Sequence, residues 1–372
     1  MDMIHKRHEG EPKDFISGMP DNVITNILDR LPLQDAVRTD ILSRNWRFLL
    51  HLNGDITKFV LFVDESCYSV FDVQDIKHWV LFLSKKGIRD LTLENRSTAR
   101  LKLPTHLFSC LELEHLKLVF CGFNAPDSFH GFPNLLSLEL GVILEGGKFG
   151  EFLTRCPILE ILNMNFFTNP PGQVKQAEIA KLTNLKILSL LMCNLDNRLI
   201  ISSQTIFELL DSLPKLQELD LDFIMCKFIE AGAKKRFPTI FPCLKTLKLS
   251  RIDLENGIKL ACVFQMIMSF PNLQMLDIES SDWDCKPTPA TCPLEIDYST
   301  MGLQQLQNVV FTYSSCSENE VSMIKYILAC SPFLKKIVIR PHPYPVSDEK
   351  FIFARKLLKL YRASPAVDID LS

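Results

Sequence analysis

The stretch from Leu185 to Leu195 constrains the fold of this chain more than any other. It reads LKILSLLMCNL, an apolar order of L-x-x-L-x-L-x-x-C-x-L. Leu188 and Leu190 alternate with period two, so on a strand both point into a core while Ser189 points to the opposite face. Cys193 stands where the backbone turns. A unit this short cannot bury its own apolar edge, so the pattern predicts further copies stacked before and after it.

Ten units with this apolar order follow one another along the chain. Their starts are 22 to 33 residues apart, and the mean of about 27 lies within the range typical of leucine-rich repeats. The longer units have room for a helix, and helical apolar spacing occurs at Thr205–Leu213, Leu260–Ser269 and Glu320–Ala329. The first apolar residues of the units are Ile88, Leu113, Leu135, Leu159, Leu185, Leu216, Leu244, Leu273, Leu306 and Leu334.

A proline stands two residues before the first leucine of six units. Proline ends a preceding helix and favours an extended residue before it, so it punctuates the boundary between repeats. A chance excess of leucine would not reproduce this proline in register. The six are Pro133, Pro157, Pro214, Pro242, Pro271 and Pro332.

A short helical segment precedes the repeats, from Asp14 to about Gly54. Pro20 marks a helix start, and the apolar residues of Val23–Leu31 form a stripe about 140° wide. Pro32 ends this helix, and two further helices follow. Three helices in about 40 residues hardly stabilise themselves. The wide apolar face therefore packs either on a partner or on the rest of the chain.

The residues of this segment resemble a plant-type F-box. The resemblance is carried by DFISGMPDNV from Asp14, ILDRLPL from Ile27, AVRT from Ala36 and LSRNWR from Leu42. It implies docking on the Skp-family adaptor of cullin-based ubiquitin ligases. Motif positions expected at or beside that contact are Pro20, Ile24, Leu28, Leu31, Pro32 and Trp46.

The last segment resembles the FBD module that follows F-box and leucine-rich repeats in many plant proteins. The residues that carry the resemblance are Leu334–Ile339, Lys356–Pro365 and Val367–Leu371. We expect a helix at about Asp348–Arg362 and one more strand, which together cap the repeat array.

These patterns predict an α/β chain with a small three-helix F-box domain followed by a leucine-rich-repeat solenoid. Parallel strands form the concave face of the solenoid, helices and loops form the convex face, and a cap closes the C-terminal end. The expected divisions are a disordered tail at 1–13, the F-box at 14–54, the solenoid at 55–302, and the final repeats with the FBD-like cap at 303–372.

Composition and motifs argue against several classes of function. A net charge of −3 does not favour broad binding to nucleic acid or to membranes. No apolar run approaches about 20 residues and the first residues lack an apolar core, so we expect neither a membrane span nor a signal peptide. We therefore expect a nuclear or cytoplasmic protein whose twelve cysteines are free thiols. No zinc-type cysteine pair or nucleophile motif occurs, so we expect no metal, no cofactor, no catalytic residue and no enzymatic activity of its own.

Surface recognition remains, and its candidate residues alternate with the inner leucines of neighbouring strands. Five acids around one lysine predict a negative patch that recruits a basic segment of a target protein. The alternative is a solvated concave face with no partner. The candidate residues are Glu218, Asp220, Asp222, Lys248, Asp277 and Glu279.

The sequence thus predicts a non-catalytic substrate-recognition subunit of a cullin-based, SCF-type ubiquitin ligase. In this interpretation the F-box docks on the Skp-family adaptor and, through it, on cullin, while the repeats bind the target. The alternative is a protein-interaction scaffold outside degradation, with weak or no adaptor binding.

Overall fold

The computed structural model describes residues 23, 56–63, 73–97, 101–144, 149–165, 176–191, 203–223, 240–281, 303–342 and 350–371. The strands of this part of the chain are β1 Lys58–Val63, β2 Asp90–Asn95, β3 Leu101–Lys102, β4 His115–Phe123, β5 Ser137–Leu144, β6 Ile161–Asn165, β7 Ile187–Leu191, β8 Glu218–Asp222, β9 Thr246–Ile252, β10 Met275–Ser280, β11 Asn308–Tyr313, β12 Lys336–Pro341 and β13 Asp368–Leu371. The helices are α1 Val73–Leu83, α2 Phe149–Thr154, α3 Gln176–Ile179, α4 Ser203–Asp211, α5 Gly257–Ser269, α6 Glu318–Cys330 and α7 Lys350–Leu358, and Thr105–Ser109 form a 3₁₀ turn.

The strands form one parallel sheet in chain order. Each main strand pairs with the next, from β1 through β2 and β4 to β13, and short β3 pairs with β4 off this path. The register is that of a repeat array, because equivalent leucines face one another: Leu188 on β7 pairs with Leu162 on β6 and with Leu219 on β8. The predicted architecture of a parallel-strand solenoid with helices is confirmed.

The first apolar residue of every predicted unit is buried, with at most 3% of its surface exposed. At five of the six predicted prolines, the N–H of the repeat leucine donates to the carbonyl of the residue before proline, as Leu216 does to Leu213 at 3.1 Å. Proline therefore occupies the second position of a tight turn, where its fixed φ is already suitable. This turn points each unit into its strand.

The helices predicted within the longer repeat units are present, and their buried faces join the inner strand residues in one apolar cluster. Helix α1 is followed by Gly87 at φ +68°, the left-handed conformation expected of a C-terminal glycine. Helix α6 starts two residues before the predicted Glu320, because Ser317 and Glu320 form a capping box. Helix α7 ends at Leu358, before the predicted end at Arg362, and the predicted start at Asp348 lies outside the described residues.

Asparagines next to these turns tie successive repeats together, which the sequence did not predict. Each donates its side-chain amide to a main-chain carbonyl of the preceding unit. The pairs are Asn134 with Leu111 at 3.3 Å, Asn184 with Pro157 at 3.1 Å and Asn272 with Pro242 at 2.9 Å.

Two strands carry a bulge that regular alternation would not predict. In β9, Ser250 and Arg251 stand opposite a single residue of β10, and Arg251 has φ +55°. In β4 the register shifts in the same way at Phe120, with φ +52°. A bulge changes the direction in which a side chain points, and this determines which residue Arg251 contacts.

Of residues 1–55 the structure describes Val23 alone, so the predicted tail, the F-box helices and the six adaptor-contact residues lie outside the described part. The same holds for Cys193 of the opening repeat. In the ranges that are described, no helix combines the length and apolar character needed to cross a bilayer.

Candidate functional site

The side chains that alternate with the buried leucines lie on the face of the sheet away from the core. We call this surface the open face; it is the predicted concave face. On β7, for example, Leu188 and Leu190 are buried while Ile187, Ser189 and Leu191 are partly exposed. Because the strands are parallel and in register, equivalent open-face residues form continuous rows across the repeats.

The structure brings the six candidate recognition residues together on β8, β9 and β10. Lys248 stands in register between Asp220 on β8 and Asp277 on β10. Glu218 and Asp222 flank Asp220 on its own strand, and Glu279 follows Asp277 on β10. The three strands are adjacent in the sheet, as the sequence pattern predicts.

Contacts within the fold engage two acids of the patch. Lys248 Nζ lies 2.5 Å from Glu218 Oε1, and His342 Nε2 lies 3.4 Å from Glu279 Oε1. Hydrogen bonding to Glu218 raises the pKa of Lys248 despite partial burial, so this lysine is charged at neutral pH. The single lysine of the patch is therefore already paired with one of its five acids.

Asp222 was predicted to be an accessible acid, and the structure shows that it is not. Its side chain is fully buried and forms an ion pair with Arg251, whose Nε donates to Asp222 Oδ1 at 3.0 Å. A target protein cannot touch a carboxylate in this position. The sequence pattern missed Arg251 as its partner because regular alternation does not place residue 251 on the open face.

Burial disfavours the charged forms of Asp220 and Asp277. Burial raises the pKa of Asp220, against the opposing hydrogen bond from Ser189 and the charge of Lys248. Burial also raises the pKa of Asp277, against the charges of Arg340 and Lys248. A cationic group brought to this surface would restore the solvation that these carboxylates have lost.

Two basic residues of β12 also have partners within the fold. Lys336 Nζ lies 3.4 Å from Asp370 of the last strand, and Arg340 Nε donates to Thr312 Oγ1 at 3.2 Å.

The described residues offer little chemistry for catalysis or for a metal. Within them, no group of three or more His, Cys, Asp or Glu side chains is placed to hold a metal ion. Burial raises the pKa of the Cys121 and Cys262 thiols to about 12. Thiols of this kind are apolar core groups rather than nucleophiles.

Comparison with known proteins shows which family shares this arrangement. The F-box domain family matches residues 16–54, and the leucine-rich-repeat family described as "FBD-associated F-box protein At5g56370, LRR repeats" matches residues 76–208. The chain thus combines a match to the F-box family with a match to a leucine-rich-repeat family. The repeat match begins within α1 and ends within α4.

The chain is also similar to proteins of Arabidopsis thaliana that are named for the same modules. It is 28% identical to the F-box/FBD/LRR-repeat protein At1g13570, over 97% of this chain and 99% of the relative. It is 31% identical to the FBD-associated F-box protein At5g56370, over 41% of this chain and 43% of the relative. The two families together imply a substrate-adaptor role in SCF-type ligases in general, and such proteins are typically non-catalytic.

Proposed function

We propose that the chain is the substrate-recognition subunit of an SCF-type ubiquitin ligase in the nucleus or cytoplasm. The observation that carries the proposal is the F-box match at residues 16–54 directly ahead of a repeat sheet with an open, polar face. The F-box docks on the Skp-family adaptor and through it on cullin. The open face holds the target, and proximity to the ubiquitin-charged enzyme raises the effective concentration of the reacting groups. The subunit supplies no nucleophile and no general acid.

Adaptor binding is the first test. The purified full-length chain is expected to bind a Skp-family adaptor, and the double variant Leu28→Asp, Leu31→Asp is expected to lose this binding, because two charges replace apolar motif positions of the F-box. Thr92→Asp is the matched control, since Thr92 lies on the open face of β2 next to Lys117 in register, where an added carboxylate is well tolerated. Adaptor binding that is equal in all three proteins would overturn the docking proposal.

Target modification is the second test, and it separates a ligase subunit from an interaction scaffold. Proteins captured by the repeats are expected to be ubiquitinated with the wild-type chain. They are expected to stay bound but unmodified with the Leu28→Asp, Leu31→Asp variant. Equal modification with both chains, or none with either, would favour the scaffold.

Within the open face, we propose that the acidic patch recruits a basic segment of the target. Asp220 and Asp277 support this proposal, because burial leaves their carboxylates poorly solvated. The test is Asp220→Lys with Asp277→Lys, leaving Asp222 intact because it is held by Arg251. Target capture that survives both charge reversals would exclude the patch as the binding surface.

A further inference from the structure

A cavity of about 480 Å³ opens on the open face between β4 and β9, and we call it the strand pocket. Its volume lies in the range of sites that hold a small ligand or an inserted side chain. Strands β4 to β9 all contribute, and the polar residues that line it are Lys117, Glu139, Asn163, Asn165, Ser189, Glu218, Asp220 and Lys248. The pocket thus overlaps the acidic patch at Glu218, Asp220 and Lys248 and extends away from Asp277.

Three residues that line the strand pocket each have a buried side-chain oxygen without a hydrogen-bond donor. The oxygens are Asn163 Oδ1 and Asn165 Oδ1 on β6 and Asp220 Oδ1 on β8, and none has a partner in the described part of the chain. Buried acceptors in native proteins are nearly always paired. Three such oxygens on residues around one cavity indicate a ligand that brings donors once these side chains turn towards it.

The cations near the pocket do not meet this need. Lys117 Nζ lies 3.0 Å from Glu94 Oε1, and Lys248 Nζ is held by Glu218 at 2.5 Å. Counting two lysines against Glu139, Glu218 and Asp220, the lining has a net charge of −1. A single positive charge would neutralise it.

Only one of the two carboxylate oxygens of Asp220 has a hydrogen-bond donor in the described part of the chain. Ser189 donates its hydroxyl to Asp220 Oδ2 at 3.2 Å, while Oδ1 has no partner in the described part of the chain. Burial raises the pKa of this carboxyl, as expected where the charged form lacks solvation. The carboxylate therefore has one oxygen left for a cationic donor.

We propose that the strand pocket binds the guanidinium group of an arginine side chain on the target protein. A guanidinium has five N–H donors, no acceptor and one positive charge, which matches a lining of unpaired acceptors with one excess negative charge. The acceptors lie on β6 and β8, and Ser189 on β7 stands between Asn163 and Asp220 in register. The planar fork of arginine directs its donors towards several side chains at once, which suits this lining better than the compact ammonium of lysine.

The rest of the pocket suits the aliphatic stem of arginine. Gly141 on β5 leaves space on the open face because it has no side chain. A methyl group added there would meet only ordinary contacts, the nearest being Val119 Cγ1 at 3.4 Å. Val119, Ile187 and Leu191 supply apolar lining. Arginine commonly lays its stem along such surface while its head is hydrogen-bonded.

The proposal rests on the function proposed above and can be tested separately from it. Three blocked peptides serve as probes against the full-length chain by calorimetry: acetyl-Gly-Arg-Gly-amide, its lysine analogue, and its citrulline analogue, which keeps the shape but lacks the charge. The arginine peptide is expected to bind at least tenfold more tightly than citrulline and severalfold more tightly than lysine. Absence of arginine binding up to about 10 mM would overturn the proposal.

Variants locate the binding. Asp220→Asn is expected to weaken the arginine peptide about tenfold, and Gly141→Val is expected to weaken it similarly by filling the pocket without removing a charge. Asp277→Asn is the matched control, because Asp277 belongs to the acidic patch but not to the pocket. An equal loss of affinity with Asp277→Asn would show that the general negative potential of the patch attracts the peptide, and it would overturn the pocket proposal. If Asp220→Asn does not fold, Gly141→Val decides alone.

Free L-arginine distinguishes the source of the guanidinium. We expect free L-arginine to bind more weakly than the blocked peptide. Tighter binding would overturn the proposal that the ligand is a side chain of the target and would favour a small molecule. Adaptor binding is measured on the same preparations. Arginine binding without adaptor binding would refute the proposed function and keep the pocket, and the reverse result would refute the pocket alone.

Discussion

The ion pair between Asp222 and Arg251 gives the sharpest stability prediction. The Asp222 side chain is fully buried and that of Arg251 is 27% exposed. Removing one partner of a buried pair leaves an uncompensated charge, at a cost of about 3–5 kcal/mol. Because Arg251 is partly solvated, we expect Arg251→Ala to lower the free energy of unfolding by roughly 2–4 kcal/mol.

The backbone at Arg251 allows side-chain and main-chain effects to be separated. Its φ of +55° favours glycine, and a non-glycine residue in this conformation costs about 1–2 kcal/mol. Arg251→Gly removes the same ion pair but relieves this strain. It is therefore expected to be more stable than Arg251→Ala by roughly 1 kcal/mol, once the greater freedom of glycine in the unfolded chain is subtracted.

Guanidinium unfolding of the full-length chain at pH 7 measures these differences, and hydrogen exchange of the β8 and β9 amides shows whether the loss is local, as repeat proteins allow. Asp222→Asn in the Arg251→Gly background is expected to recover most of the stability, because it removes the unpaired charge. Phe120 is the control, because it has φ +52° in a bulge but forms no ion pair with a carboxylate. The free energy of unfolding of Phe120→Gly should therefore exceed that of Phe120→Ala by a similar margin. The reasoning fails if Arg251→Ala is as stable as the wild type.

Three further predictions follow from the fold. Leu188→Ala should cost about 2–5 kcal/mol in a denaturant titration, because the side chain is fully buried and its removal leaves a cavity, whereas Thr246→Ala on the open face of β9 should cost far less. Ser317→Ala should lower stability by about 1 kcal/mol and increase hydrogen exchange in the first turn of α6, because Ser317 accepts from Glu320 N at the helix start. Asp277→Asn should raise the melting temperature at pH 7. Burial raises the folded-state pKa of Asp277, so above that pKa its ionised form makes the folded state less stable than a neutral side chain would. This advantage should shrink as the pH falls towards about 4, where the unfolded chain also takes up the proton; an advantage independent of pH would contradict the cause given.

Local pattern was sufficient to predict the repeat architecture. The period-two leucines, the starts of the ten units and the helices of the longer units all depend on residues near one another in the chain. Burial of Leu188 and Leu190 follows from their own strand and from the need of each unit for neighbours. The family resemblance of the N-terminal segment was likewise readable from its own residues.

Tertiary structure alone decided which open-face groups are available. Asp222 and Arg251 are 29 residues apart, and they meet because a bulge in β9 re-aims the arginine across a strand boundary. Asn163 and Asp220, each with a buried unpaired oxygen, line one cavity because β6 to β8 stack in a fixed register. Hydrogen bonding and desolvation depend on distances between different strands, and a pattern read along the chain does not contain those distances. The alternation of leucines therefore determines the sheet, whereas the register and the bulges determine what its open face can bind.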